Sequence, residues 1–429
     1  MDRRIRMLSR AGFLAVAFLL CASAQDRYLV RAPSSQIGNI AARHNLTLIR
    51  SLEGPAGNLH LVAAPAGADV QRTIHGLQAD ASVQGVEPDL PVSLPETSAG
   101  APLRQMGLPD PAPVSDHTLV KYYGTSAWDA YVNQPAAFVI KVAQAHAFAS
   151  GSGVVVAFLD TGVDFSQPVL ANSLVAGWDF TRNIANGSEM ADVDQSTDSI
   201  LDQSTDSILD HVRSKLPSAF GHGTMVAGLI HLVAPAAKLM PVKVFTGAGT
   251  ATLSNIVSGI HWAVDHGADV INMSFSSTQS SPELHAAIAY ANSKGVICVA
   301  SAGNDGEQNP PVFPAGYQSQ IIAVASTNNQ DIRSTFSNYG NTLVDVAAPG
   351  EGVVTLYPGN NYAEGWGTSF SAPLVTGGAA LLVQLGKNIT VVQADQAISQ
   401  AIPTGQGLGA GELDLFQACL YQLLHGGWR

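Results

Sequence analysis

Cysteine is nearly absent: three in 429 residues, too few for a disulfide framework, so this is no small stapled scaffold. Charge is scarce as well. Asp, Glu, Lys and Arg supply 13% of the chain against 46% apolar residues, about half the usual charged share, which excludes general disorder. Basic residues are the rarer sign, 21 against 33 acidic for a formal net charge of −12. Nucleic acid is thereby excluded as the main partner, because phosphate binding takes clustered Lys and Arg. No apolar run over residues 1–30 reaches the roughly 20 residues of a membrane-spanning helix. Residues 11–21 come nearest, and no membrane anchor is expected.

That run is preceded by Arg3, Arg4, Arg6 and Arg10 and followed by Ala22-Ser23-Ala24. A basic start, an apolar stretch and small residues at its end have the form of a secretory signal over 1–24, which predicts a secreted protein, extracellular or periplasmic. Its removal leaves 17 basic and 32 acidic residues, a net charge of −15, and two cysteines, Cys298 and Cys419. One disulfide between them is possible in an oxidising compartment. Cys298 lies in the apolar run 295–300 and reads as a buried inert thiol.

The length leaves room for two or three domains. Residues 27–89 predict a unit of their own: strand 27–31, helix 35–44 capped by Ser34 or Ser35, strands 46–50 and 59–63, helix 68–79 and strand 82–87. The order β-α-β-β-α-β is the split ferredoxin-like arrangement. From Leu90 the chain turns to Pro, Ser and Ala without apolar periodicity, the mark of a linker, and a linker invites proteolysis. Beyond it, apolar runs at 154–159, 237–244, 269–273, 295–300, 320–325 and 343–346 alternate with helical periods at 224–232, 252–265, 282–294 and 371–385. Non-alternating strands separated by helices predict an α/β fold with a parallel sheet buried on both faces. Ligands bind such sheets at the carboxyl ends of the strands.

One stretch stands apart. DQSTDSIL at 194–201 is repeated letter for letter at 202–209, setting Asp194, Asp198, Asp202, Asp206 and Asp210 four residues apart. Like charges would stack on one helix face, so an acidic surface loop is expected. Its oxygens suit calcium, but the Asp-x-Asp-x-Asp-Gly pattern of a defined calcium loop is missing.

Three motifs carry chemistry: VVVAFLDTGVD at 154–164, GHGTMVAG at 221–228 and GTSFSAPLVTG at 367–377. Each has a bland reading taken singly. Asp160 ends a strand, His222 is a lone histidine, and Ser369 sits where a helix N-cap would. Jointly they meet one requirement, because a nucleophilic serine needs a base for its proton and a carboxylate to hold that base in the right tautomer. Asp160, His222 and Ser369 supply all three. Gly223 and Gly367 would let backbone approach a substrate without a β-carbon in the way. The order Asp, His, Ser is one of the orders in which this constellation recurs.

On these motifs the chain resembles the subtilisin family of serine endopeptidases, the subtilases. The family pattern D-[ST]-G is met at Asp160-Thr161-Gly162, H-G-T-x-V-A-G from His222 to Gly228, and G-T-S-x-[AS]-x-P from Gly367 to Pro373. The resemblance implies a subtilisin-like parallel sheet flanked by helices, and hydrolysis of peptide bonds through an acyl-enzyme. It places the oxyanion-hole donor at Asn304, in Ala302-Gly303-Asn304. It lines the substrate cleft with Ser274, Phe275 and Ser276 on one rim and Ser301, Ala302 and Gly303 on the other. Phe275-Ser276 replaces the Leu-Gly of many relatives and would narrow the outer pocket, and Asp305 reads as a solvated turn carboxylate.

The prefix at 25–93 resembles the family's inhibitory propeptide, an α+β ferredoxin-like unit. The implied layout is signal 1–24, propeptide 25–93, linker 94–118 with the maturation site, and peptidase domain 119–425. The partners implied are protein or peptide substrates and the chain's own propeptide as intramolecular inhibitor, in a soluble monomer. No cofactor is required; calcium is possible, but the calcium loop that many relatives insert after the His helix is missing between His231 and Ala237, so no metal ligands are assigned. Phe370 replaces the usual Met after the serine, and Phe313-Pro314 stands where relatives have a cis peptide. A catalytically silent binding protein is the rival reading. An ester hydrolase is disfavoured because Gly367-Thr368-Ser369-Phe370-Ser371 is not a G-x-S-x-G elbow.

Overall fold

The structure is a computed structural model that describes residues 26–54, 57–95, 106–107, 116–193 and 216–426. The segment expected to be a secretory signal, the acidic repeat and most of the expected linker lie outside the described residues. The described residues divide between Pro91 and Val92 into two compact units.

In the first unit, strands Arg27–Arg31, Thr47–Ser51, Leu59–Ala63 and Gly85–Pro88 pair antiparallel, with helices Ile37–Arg43 and Val70–Gln78 between them in the chain. The spatial order is second, third, first, fourth. Arg27–Arg31 lies inside the sheet because Tyr28, Leu29 and Val30 are all apolar enough to be buried. Val30, Ile40, Val62 and Leu77 form the core under the helices. Asp69 starts the second helix, its carboxylate accepting from the Arg72 N–H at 2.8 Å. The first helix departs from the serine cap expected of it. It starts after Gln36 with no side-chain cap, because the Ser34 hydroxyl donates instead to the Gly57 carbonyl.

The second unit is built on an eight-stranded sheet in the order Ile184–Ala185, Trp178–Asp179, Lys238–Lys243, Val155–Asp160, Val270–Met273, Ile297–Ser301, Ile322–Thr327, Val346–Pro349. All neighbours run parallel except the short edge strand Ile184–Ala185. From Val155–Asp160 the chain goes on to lay Lys238–Lys243 on one side of that strand and Val270–Met273 on the other. Connections that diverge in this way open a crevice at the carboxyl end of the strand they leave. Asp160 is the residue at that end.

Both faces of the sheet are covered, which is why its strands read as continuous apolar runs. Val156 and Phe158 belong to one core with the helices His222–Val233 and Thr368–Leu385. On the opposite face Gly259, in the helix Leu253–Asp265, lies against Leu159 and Val242. The Thr368–Leu385 helix is long and apolar enough to cross a membrane by composition, yet it is buried from Thr368 to Leu382. A helix that is apolar all round is what a core position demands.

Two further departures concern the late part of the chain. The last sheet strand begins at Val346 rather than at Leu343, because the Leu343 and Val344 N–H groups both turn back to the Gly340 carbonyl. A hairpin of Val353–Tyr357 and Asn361–Gly365, which no periodicity had signalled, leads into the serine motif. Cys298 and Cys419 are both buried and unbonded, and burial pushes each thiol up to about 12. The Phe313-Pro314 bond is cis.

Candidate active site

Asp160 closes its strand with no exposed surface, and its Oδ1 accepts from His222 Nδ1 at 2.7 Å and from the Thr161 N–H at 2.7 Å. Sixty-two residues of chain separate the two side chains, and the contact is made where the His helix meets the strand end. His222 is the first residue of that helix, after Gly221 with φ +95°. The role expected of Gly223 is corrected here. A β-carbon at Gly223 would lie 2.0 Å from the Gly162 carbonyl oxygen, so this glycine admits the Asp turn to the helix rather than a substrate to the backbone.

Ser369 is the second residue of its helix, whose N-cap is Gly367 at φ +144°. The bland reading of Ser369 as the cap is thereby overturned. Four residues on stands Pro373, which has no N–H for the Ser369 carbonyl that a helix would pair with it. Ser274 fills the vacancy. Its hydroxyl donates to the Ser369 carbonyl at 2.9 Å, and Ser369 Oγ donates to the Ser274 carbonyl at 3.2 Å. Asn272 Nδ2 donates to Ser274 Oγ at 2.9 Å, and its Oδ1 accepts from Thr376 Oγ1 at 2.8 Å. One strand end is thus laced to the serine helix at two points, Ser369 and Thr376, about two turns apart.

Asn304 lies beside the same helix start. Its Oδ1 accepts from the Thr368 N–H at 2.9 Å and from Thr368 Oγ1 at 2.8 Å. With the amide oxygen committed to Thr368, the NH₂ is the opposite arm. Ser301, Ala302 and Gly303 precede it, buried, with Ser301 Oγ 3.5 Å from the Phe275 carbonyl. The two rims expected from the sequence therefore lie side by side. Phe275 is buried against Phe245, ring centroids 5.4 Å apart, so its bulk is spent on the interior. Asp305 is exposed and accepts from Asn338 Nδ2 at 3.1 Å.

Several neighbours of these residues carried no sequence signal. Asn338, fully buried, donates from Nδ2 to the Ala302 carbonyl at 3.0 Å and accepts from Glu307 N–H at 3.0 Å, holding the loop that bears Asn304. Glu189, also fully buried, reaches the start of the His helix. The strand Pro91–Ser93 pairs with Thr250–Thr252. Ser93 stands antiparallel to Ser276, and Leu94 N–H donates to the Gly249 carbonyl at 3.0 Å. Residues 92–94 are therefore an extended chain laid between the strand Thr250–Thr252 and Ser276. A pattern of Pro and Ser could not announce that, because the pairing uses backbone alone. Among the described residues no group of three or more His, Cys, Asp or Glu is arranged to hold a metal ion.

A model of the subtilase family matches residues 151–415. Thermitase of Thermoactinomyces vulgaris is 36% identical over 294 residues, covering 66% of this chain and 94% of its own. Subtilisin Savinase of Lederbergia lenta is 36% identical over 253 residues, covering 57% of this chain and 81% of its own. In fold, the chain is similar to fervidolysin from Fervidobacterium pennivorans, a keratinolytic enzyme related to subtilisin. The TM-score is 0.71 at 24% identity, over 92% of this chain and 61% of that one. A cold adapted subtilisin-like serine proteinase is similar with a TM-score of 0.51 at 28% identity, over 62% of this chain and 88% of its own.

Proposed function

The chain belongs to the subtilase family and is a subtilisin-type serine protease, and on that footing we propose that it is a secreted endopeptidase, made as a self-processing precursor, that works through Asp160, His222 and Ser369. Ser369 Oγ attacks the scissile carbonyl, swinging from the Ser274 carbonyl towards His222, which takes its proton and later delivers it to the leaving amine. Asp160 holds His222 in the tautomer with the proton on Nδ1 and stabilises the imidazolium. Asn304 Nδ2 and the Ser369 N–H receive the oxyanion. The steps use no cofactor. Every group comes from one chain, so a monomer suffices.

The observation that carries this reading is the extended segment 92–94 between Thr250–Thr252 and Ser276. It supports a cleft that takes a peptide as an added antiparallel strand, with 274–276 as one edge. Ser276, opposite Ser93, is two residues from Ser274, whose carbonyl accepts from Ser369 Oγ, so a chain paired along 274–276 would pass the nucleophile. The prefix at 25–93 is the propeptide whose last residues fill the cleft until a bond within the linker at 94–118 is cut.

The test is to express residues 25–429 beside a Ser369→Ala version, follow the prefix by mass spectrometry and assay casein cleavage with a serine-directed phosphonate control. The parent is expected to lose the prefix and to cleave casein in a phosphonate-sensitive way, and Ser369→Ala to do neither. A parent that is neither processed, labelled nor active would favour the silent binding protein.

A further inference from the structure

The His helix has a glycine at its N-cap, and glycine brings no side chain to the first N–H groups of the helix. A larger residue is barred there, since a β-carbon at Gly221 would lie 2.1 Å from the Tyr357 ring. The donors are satisfied from elsewhere in the chain. Glu189 Oε1 accepts from the Gly221 N–H at 2.7 Å, and Oε2 accepts from Thr224 Oγ1 at 2.7 Å and Thr224 N–H at 3.2 Å. Oε1 also accepts from Thr161 Oγ1 at 2.5 Å, and Thr161 Oγ1 in turn accepts from the Gly223 N–H at 2.9 Å.

One buried carboxylate therefore joins the turn after Asp160 to the first turn of the helix bearing His222. The segment that carries it is itself pinned to that turn. Val163 N–H donates to the Gly187 carbonyl at 2.9 Å and Glu189 N–H to the Val163 carbonyl at 3.0 Å.

We propose that Glu189 is a positioning residue for the protease reaction: it sets the Asp160–His222 geometry and adds a negative charge that favours the imidazolium form of His222. This rests on the reading of His222 as the base. A helix N-terminus is where a carboxylate is most at home, and a buried one there acts on its neighbours with little screening. The charged and titratable groups around it are Asp160 and Asp164 from the Asp strand and its turn, His222 from the helix, Lys243 from the neighbouring strand, and Asp192, paired with Lys243, from the turn Met190–Asp192 that follows Glu189 itself. Lys243 is fully buried and donates to the Thr161 carbonyl and to Asp192 Oδ2, each at 2.5 Å, on the far side of the same turn. Burial pushes the Glu189 carboxyl up to about 7, while the Thr161 and Thr224 donors and Lys243 pull it down and Asp160 pushes it up.

The test uses the chain from residue 25 with two readouts. In the active enzyme, Glu189→Gln removes the charge and one acceptor. It is expected to lower kcat about tenfold with KM little changed, and to move the acid limb of the kcat profile down by no more than roughly half a pH unit, since a carboxyl pushed up to about 7 carries only part of its charge across that limb. In the Ser369→Ala background the titration of the His222 ring, followed by NMR, is expected to move down by the same amount. That readout stands whether or not the protein cleaves anything, so it separates this proposal from the endopeptidase reading.

If Glu189→Gln does not accumulate, Thr224→Ala leaves the carboxylate but removes a donor to it. It should move the His222 titration in the same direction by less. A Glu189→Gln protein, or in its absence a Thr224→Ala protein, with an unmoved His222 titration and acid limb would overturn the proposal and leave Glu189 a structural cap alone.

Discussion

The two halves of the proposed site, its base and its nucleophile, are held by different chemistry. The base half rests on buried charge: Asp160 on His222, Glu189 across the helix start, Lys243 behind the turn. The nucleophile half rests on neutral groups: Ser274, Asn272 and Thr376 on Ser369 and its helix, Thr368 on Asn304, Asn338 on the loop before it. Charges act at a distance and titrate, so the base half should answer to pH. Neutral hydrogen bonds act by geometry and do not titrate, so the nucleophile half should answer to shape.

The largest test of that division is Ser369→Ala, expected to lower kcat on the order of 10⁶-fold, a magnitude established on subtilisin itself. Binding of a peptide inhibitor should survive, because the rims use backbone. Next, Asn304→Ala is expected to cost about 10² to 10³ in kcat, again the scale known for subtilisin. Its pH profile should keep the parent's shape, since an amide does not titrate. A shifted acid limb in this variant would break the division between the halves.

A smaller effect sharpens the claim about geometry. Ser274→Ala leaves the Ser369 carbonyl without the donor that Pro373 already denies it. A buried unmet acceptor costs about 1–3 kcal/mol, read as a fall in Tm, and kcat should drop roughly tenfold with no movement of its pH limbs. Adding Pro373→Ala returns a helical N–H to that carbonyl. The double variant should therefore be more stable than the sum of the singles predicts.

A last effect, on stability and not on turnover, comes from a buried acid outside the site. Burial pushes Glu412 up to about 8, the Thr327 hydroxyl pulling down and Asp331 pushing up. The folded chain then holds a proton that the unfolded chain releases near the ordinary value of 4.5. Stability is present in full below that value and falls as pH rises through about 8. Glu412→Gln should flatten this part of the loss of Tm between pH 5 and pH 9 without altering the acid limb of kcat. Equal slopes in parent and variant would show that Glu412 titrates alike in both states.

Much of the candidate site was legible along the chain because the chemistry proposed for it is local. D-T-G, H-G-T and G-T-S each put a side chain able to react at a strand end or helix start between residues small enough to leave it room. The apolar runs told of a sheet covered on both faces, since a strand with no wet side has no reason to alternate. What stayed hidden is non-local. Glu189 lies 32 residues before the N–H it caps, Asn338 lies 36 beyond the carbonyl it holds, and nothing in their neighbours' spacing marks either one. The motif alone suggests substrate approach for Gly223, and its neighbour, the Gly162 carbonyl, is known only once the helix is packed.

The sequence by itself determined which residues are chemically able to react and which stretches must be buried, because side-chain chemistry and the period of apolar residues are properties of the chain. Only the tertiary structure decided what holds the reactive residues in place. A buried donor or acceptor must find a partner wherever packing offers one, and that partner can lie anywhere in the chain.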